Sequence, residues 1–250
     1  MTKSMPLPVN VIANADDFGM NASVNKAVLY CFEQGIINST SIMVNTAFFE
    51  EAAEMANKYE IITNVGVHVN LTDGKPITDF SRHTYLDDEG NWKKEKVNQK
   101  FKFLSTSSKS AFFEEINAQI AKALSHNLPI THLDSHRHVH TLPAYYQLFL
   151  QAAKDHKLKI RLAQSYFAGK KLNFFYRKRL NNIFSKGGDN YSDHFYDVYE
   201  FVKNGRFRED DNITEVMLHP WFDQAGELSD HYDPRGFQSW LSFLQNQQSK

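Results

Sequence analysis

Short apolar runs recur along the chain and alternate with longer amphipathic stretches, and this rhythm limits the architectures open to it. The runs cover residues 9–14, 38–45, 64–70, 129–134, 158–163 and 213–218, and their length and β-branched content predict strands. Residues 22–35, 47–58, 110–126, 142–156 and 236–247 carry apolar positions three and four apart and predict helices. Strands joined through helices run parallel, because a crossover is needed to return the chain to the same end of the sheet. The expected fold class is therefore α/β in a single domain, with a parallel sheet either open or closed into a barrel. Two stretches break the rhythm and are expected as long loops: 73–109, rich in charge and turn residues, and 164–194, basic and aromatic.

With 250 residues, 42% of them hydrophobic, the chain has enough apolar material for one large core. A formal net charge of -1 argues against bulk attraction to nucleic acid or an anionic membrane. No apolar run reaches membrane-spanning length and no apolar leader opens the chain, so a cytoplasmic location is expected. The lone Cys31 lies in the helical run Lys26–Phe32 and is expected as a buried small hydrophobe.

In parallel β/α folds, functional groups collect at the carboxyl ends of the strands. Here those ends repeatedly carry polar residues: Asp16 and Asp17, Asn45, His68 and Asn70, Asp134 and His136, and His219. The first of them, NADDFGM, places two carboxylates side by side. Neighbours on a strand point to opposite faces, and two like charges this close repel unless a cation or a shared proton relieves them. The pair asks for a metal; the plainer alternative is a solvated turn, with Asn21 or Ser23 capping the helix that follows. The segment THLDSHRHVH packs four of the eleven histidines into nine positions after a strand. Imidazole suits first-row metals, and a carboxylate completes a three-ligand set that leaves room for water. Spacing does not rank His136, His138 and His140, and at least two of the four histidines are expected to orient a ligand or to sit in the core. Asp134 can ligate, orient a histidine or start a turn. Taken alone, His68 and His219 each read more readily as core histidines than as ligands.

Four segments in order, NADDFG, GVHVNLT, THLDSHRHVH and MLHP, together resemble the YdjC-like carbohydrate deacetylase family, which includes chitooligosaccharide deacetylases. The likeness extends from residue 12 to about residue 221. It implies a distorted TIM-like β/α barrel, one divalent metal ion (zinc or magnesium), and removal of acetyl groups from N-acetylated saccharides such as diacetylchitobiose. It also implies Asp17, His68 and His136 as metal ligands, Asp16 as general base, and a homodimer. Arg137 stands where some relatives are expected to have histidine, and residues 168–193 fit the family pattern poorly.

The leaving amine needs a proton donor. His219, from a distant strand end, is favoured over His138 or His140. Trp221, Phe222, Tyr166, Phe167, Phe174, Phe175 and Tyr176 are candidate sugar platforms, most of them expected as core or lid packing. The basic segment 170–179 reads as a solvated face or lid rather than an RNA contact. The tripeptide Asp17-Phe18-Gly19 matches a protein kinase metal motif, but no Gly-rich loop precedes it. Chemically open alternatives are a metal-dependent amidohydrolase, a phosphoesterase, and a non-catalytic metal-dependent sugar-binding protein.

Overall fold

The computed structural model describes residues 7–100, 102–187, 190–204 and 212–247. Its first half repeats one unit: β1 (Val11–Phe18), α1 (Ala22–Glu33), β2 (Ser39–Ile42), α2 (Phe49–Lys58), then β3 (Val65–Val69). Asn21 starts α1 by accepting the Val24 amide, and Ser105 starts α4 (Thr106–Ser125) by accepting the Ser108 amide. Between β3 and α4 lies the short helix α3 (Lys94–Val97). The chain continues through β4 (Ile130–Ser135), α5 (Tyr146–Asp155), β5 (Lys159–Ile160), α6 (Lys171–Gly187), β6 (His194–Asp197), α7 (Val198–Asn204) and β7 (Thr214–Leu218). An antiparallel hairpin of β8 (Pro220–Phe222) and β9 (Leu228–Asp230) precedes α8 (Pro234–Gln247).

Seven strands pair in parallel in the order β5-β4-β3-β2-β1-β7-β6. The Tyr191 amide donates to Ile160 O at 3.0 Å and the Ser165 amide to Phe195 O at 2.9 Å, which brings the two edges of the sheet together. The result is a curled sheet in the manner of a distorted TIM-like barrel. Val65, Val67 and Val69 alternate with Gly66 and His68 on β3, so one face packs under the helices and the other looks inward. Cys31 is fully buried on α1, where burial pushes its thiol pKa up. No helix among the described residues is long and apolar enough to cross a membrane.

The inward face is unusually polar. Asn14, Ser39, Ser41, His132, Asp134, Arg161 and Glu215 are all fully buried there; Asn14, Ser39 and Ser41 are linked by hydrogen bonds, Ser41 reaches Asp134, and Arg161 reaches Glu215 Oε1, while His132 Nε2 and Glu215 Oε2 have no hydrogen-bond partner. Ser39 Oγ lies 2.5 Å from Asn14 Oδ1 and 2.6 Å from the Tyr191 hydroxyl, and the Tyr191 ring stacks on His132 at 3.8 Å. His132 fits only because its register partner on β3 is Gly66: a Cβ there would stand 2.3 Å from His132 Nε2.

The structure departs from the sequence expectation in several places, and β6, α7 and the β8–β9 hairpin are elements that the sequence pattern did not predict. Over 158–163, only Lys159 and Ile160 form a strand; at Ala163 the Asn181 side chain of α6 takes both the backbone N–H and the C=O, so no strand is needed there. Residues 164–194 hold the 17-residue α6, whose fully buried positions are only Leu180 and Phe184, too few to show helical periodicity. Residues 73–100 are ordered around Phe80, Tyr85 and Trp92, which pack on Phe112 of α4 with ring centroids 4.9 to 5.9 Å from it, and the expected loop ends where α4 begins at Thr106.

Gly66→Ala should destabilise the fold by about 1–3 kcal/mol, the usual cost of overpacking, and adding His132→Ala should recover part of the loss. Thermal melts of the two variants check this; an unchanged midpoint in Gly66→Ala would refute the close approach.

Candidate active site

The end of β1 is irregular. Ala15 pairs with Thr40 and Phe18 with Ile42, so three steps on β1 match two on β2, and Asp17 takes φ 67 within this bulge. A non-glycine residue in the left-handed region costs about 1–2 kcal/mol, and aspartate is among the residues that tolerate it best. The bulge corrects the expectation that Asp16 and Asp17 point apart: both carboxylates reach the same cluster. Gly19, at φ 92, follows at once, and a Cβ there would meet Met43 O at 2.8 Å.

Asp17 is fully buried. Its Oδ1 lies 2.8 Å from His136 Nδ1 and 3.2 Å from His68 Nε2, and its Oδ2 lies 3.4 Å from His231 Nε2. Asp17 Oδ2 and His231 Nε2 are both buried without a hydrogen-bond partner. One donor atom each from Asp17, His68 and His136 falls within 4.8 Å of the others. Tetrahedral ligands with bonds of about 2.0–2.1 Å lie roughly 3.3 Å apart, so these residues fit a divalent metal ion. A second grouping, Asp16, His68 and Asp134, also meets that distance, but the Arg161 guanidinium already occupies both of its carboxylates and would repel a cation.

His68 owes its orientation to Asp134, whose Oδ1 meets its Nδ1 at 2.8 Å. That leaves Nε2 facing Asp17, the arrangement in which a carboxylate fixes the tautomer of a ligating histidine. Burial alone would push His68 down, but Asp134 and Asp16 outweigh it and raise its pKa to about 10. A ring nitrogen held this strongly to a proton by surrounding carboxylates is one that a divalent cation can occupy instead. For Asp17, burial works upward and is overcome by the surrounding rings of His136, His231 and His68, which hold it well below the usual carboxylate range.

Arg161, just past β5, joins the cluster from the other side. It is fully buried and grips Asp16 with two bonds of 2.7 and 2.6 Å, while Nη1 reaches Asp134 at 2.7 Å and Nε reaches Glu215 at 2.7 Å. Burial raises the Asp16 carboxyl, but Arg161 and His68 together outweigh it and the net shift is downward. At Glu215 burial prevails over Arg161, and the pKa rises to about 7.

After β4 the chain turns through a short 3-10 segment, His136–Thr141, in which Arg137 and His138 both have φ 55. His136 and Arg137 share Asp73 Oδ2, each at 3.2 Å. The four clustered histidines separate into different places. His132 is in the barrel interior, pushed down to about 3 by burial, and His140 is locked to Ser135 at 2.7 Å in the core. His138 lines the cleft together with His136, and burial lowers its pKa to about 4.

His219 follows β7. Its backbone amide donates to Asp230 Oδ2 at 2.5 Å, and its Nδ1 lies 3.7 Å from the same oxygen. Burial lowers the ring pKa and the Asp230 contact raises it, with a net rise. The ring stacks on His231 at 5.5 Å and meets Tyr232 edge-on at 4.6 Å.

Asp16, His68, His136 and His219 thus line one cleft of about 680 Å³, with Asp17 behind the two histidines. Of the aromatic candidates, Tyr166 lines the cleft; Phe222 packs instead on Tyr30 of α1. Sequence reasoning missed Arg161, His231, Asp73, Asp230, Tyr199 and Tyr232. Only Arg161 left a signal, a lone charge inside the apolar run Ile160–Ala163.

Residues 10–247 match the model of the family described as YdjC-like protein. The chain belongs to the YdjC-like family. This YdjC-like protein is 29% identical over 222 residues to a carbohydrate deacetylase of Brevibacillus brevis, covering 87% of this chain and 84% of the relative. It is 30% identical over 231 residues to a chitooligosaccharide deacetylase of Yersinia pestis, covering 90% and 87%. A crystal structure from Enterococcus faecalis, provisionally named for cellobiose-phosphate cleavage, shares the fold at TM-score 0.66 and 21% identity, covering 86% of this chain and 82% of that one.

Removing Arg161 strands three buried carboxylates. Arg161→Met should cost about 3–5 kcal/mol of stability, and Arg161→Met with Glu215→Gln less, because one stranded charge is then gone. Urea unfolding of both variants gives the comparison; a loss under about 1 kcal/mol in the single variant would contradict the role of the network.

Proposed function

We propose that this YdjC-like protein is a metal-dependent hydrolase that removes acetyl groups from N-acetylated saccharides. The observation that carries the reading is the pair of adjacent carboxylates placed differently by one bulge: Asp17 between two histidines, and Asp16 beside them, open to the cleft and tied to Arg161. The deacetylase names of its relatives in Brevibacillus and Yersinia support the reaction class.

A divalent ion held by Asp17, His68 and His136 would polarise the acetyl carbonyl and acidify the attacking water. Two imidazoles and one carboxylate suit zinc better than magnesium, which prefers an all-oxygen shell. Asp16 acts as general base. Its Oδ1 accepts from both Arg161 Nη2 and Asn14, the latter at 2.8 Å, whereas Oδ2 accepts from Arg161 Nη1 and keeps one lone pair, so the proton from water goes to Oδ2. His219, held by Asp230 and kept protonated to higher pH than an ordinary imidazole, donates to the sugar nitrogen as the C–N bond breaks. The sum is one water added across the amide, giving acetate and a free amino sugar. A sugar-binding protein would need the three ligands but neither Asp16 nor His219 in these positions, and a phosphoesterase would release no acetate.

The two aspartates should fail differently. Asp16→Asn should keep bound metal and lose about 10²–10⁴ in turnover, the worth of a positioned base. Asp17→Asn should lose metal affinity, and excess metal should partly restore its rate. Acetate release from N,N'-diacetylchitobiose and metal content by elemental analysis, followed together, settle the division of roles. The reverse pattern would refute it, and parental acetate release by Asp16→Asn would refute the catalytic reading.

An acid must be protonated to act, so activity falls as pH rises through its pKa. Asp230 raises that of His219; Asp230→Asn should therefore shift the alkaline limb of kcat/KM to lower pH. An unmoved alkaline limb would take His219 out of the acid role.

A further inference from the structure

Arg137 and His138 are consecutive non-glycine residues in the left-handed region, with φ, ψ of 55, 23 and 55, 32. Such strain persists only where the surroundings impose it, and it concentrates at functional sites. Here the surroundings do impose it. Thr141 Oγ1 donates to His138 O at 2.8 Å, and Ser135 Oγ accepts the His140 amide at 2.9 Å while meeting His140 Nδ1 at 2.7 Å. The double left-handed turn delivers two side chains from one short segment, His136 and His138, to the wall of the same cleft.

His138 is fixed in an informative way. Its ring is wedged edge-on against Phe195 at 5.8 Å and His140 at 6.2 Å. Its Nδ1 is shut away from solvent with no partner. A buried acceptor without a partner is tolerated more readily than a buried N–H without one, so the ring proton belongs on Nε2. Among the described residues no hydrogen bond reaches Nε2, and His138 is part of the cleft lining. His138 also has no carboxylate on it, in contrast to His219 with Asp230. It is therefore a rigid, neutral hydrogen-bond donor with its partner missing. The reaction proposed above creates a demand for such a donor at the acetyl oxygen, which gains negative charge when water adds.

We propose that His138 is a further catalytic residue, its Nε2–H donating to the oxygen of the acetamido group under attack. This rests on the deacetylase reading and assigns a residue that the base, the acid and the metal ligands leave out. A donor to a sugar hydroxyl would bind ground and transition states alike and act through KM; a donor to the developing oxyanion acts through kcat.

The test is His138→Gly, which relieves the backbone and removes the ring, assayed for acetate release from N,N'-diacetylchitobiose with bound metal measured on the same sample. Its kcat should fall about 100-fold, with KM and metal content within about threefold of the parent, and millimolar imidazole should restore part of kcat. If circular dichroism shows His138→Gly unfolded, His138→Asn, which also tolerates the left-handed backbone, is read on the same criteria without imidazole. The assignment is overturned if the folded variant keeps kcat within about tenfold of the parent, if the loss follows lost metal, or if it lies wholly in KM. A parent that releases no acetate overturns the deacetylase reading and this assignment with it, whereas an active parent beside an unimpaired variant overturns only the assignment.

Discussion

The guanidinium of Arg161 is the fixed positive charge around which the interior of the barrel is organised. Asp16, Asp134 and Glu215 come from three different strands and all lose their water on folding. Unpaired carboxylates in that setting would take up protons or push the strands apart. One planar, permanently charged group with a fork of donors serves all three, which a lysine could not do. The consequences pass outward: with Asp134 fixed, His68 is turned so that Nε2 faces Asp17, and with Asp16 fixed, its carboxylate is held at the wall of the cleft. The geometry of the candidate metal site is thus set by a cation that is not part of it.

A second constraint is backbone conformation. The bulge at Asp17 and the double left-handed turn at Arg137 and His138 each abandon the regular alternation of a strand where alternation would send a needed side chain the wrong way. Both lie at carboxyl ends of strands, where the ladder is ending and the loss of regular pairing costs least. Each is anchored nearby, the first by Asn25 accepting the Gly19 amide at 2.8 Å, the second by Ser135.

Much of this was legible beforehand, and what was not has physical reasons. Six of the seven parallel strands were visible because they combine β-branched residues with short length, whereas β6, HFYD, has none and was not; the rim was visible because strand ends carry chemistry in this class of fold. The bulge was not, since nothing in Asp-Asp distinguishes a regular strand end from one with an extra residue. Helix α6 was hidden because it rests on the barrel by few side chains. Asp230 ends β9 and His231 follows it in a polar turn whose composition is that of any surface loop, and only the hairpin fold-back brings them to His219 and Asp17. Arg161 was on view as a charge in an apolar run, but its meaning depends on partners far away in sequence, Asp134 on β4, Glu215 at 54 residues and Asp16 at 145.

The stacking of Tyr191 on His132 across Gly66 has a further consequence for traffic through the molecule. That stack, with Ser39 and Asn14 beside it, fills the interior beneath Asp16 with side chains that have no exposed surface beyond a few per cent. Among the described residues this packing closes the floor of the cleft below Asp16, so a molecule that reaches Asp16 does not pass on through the sheet's interior to its opposite end.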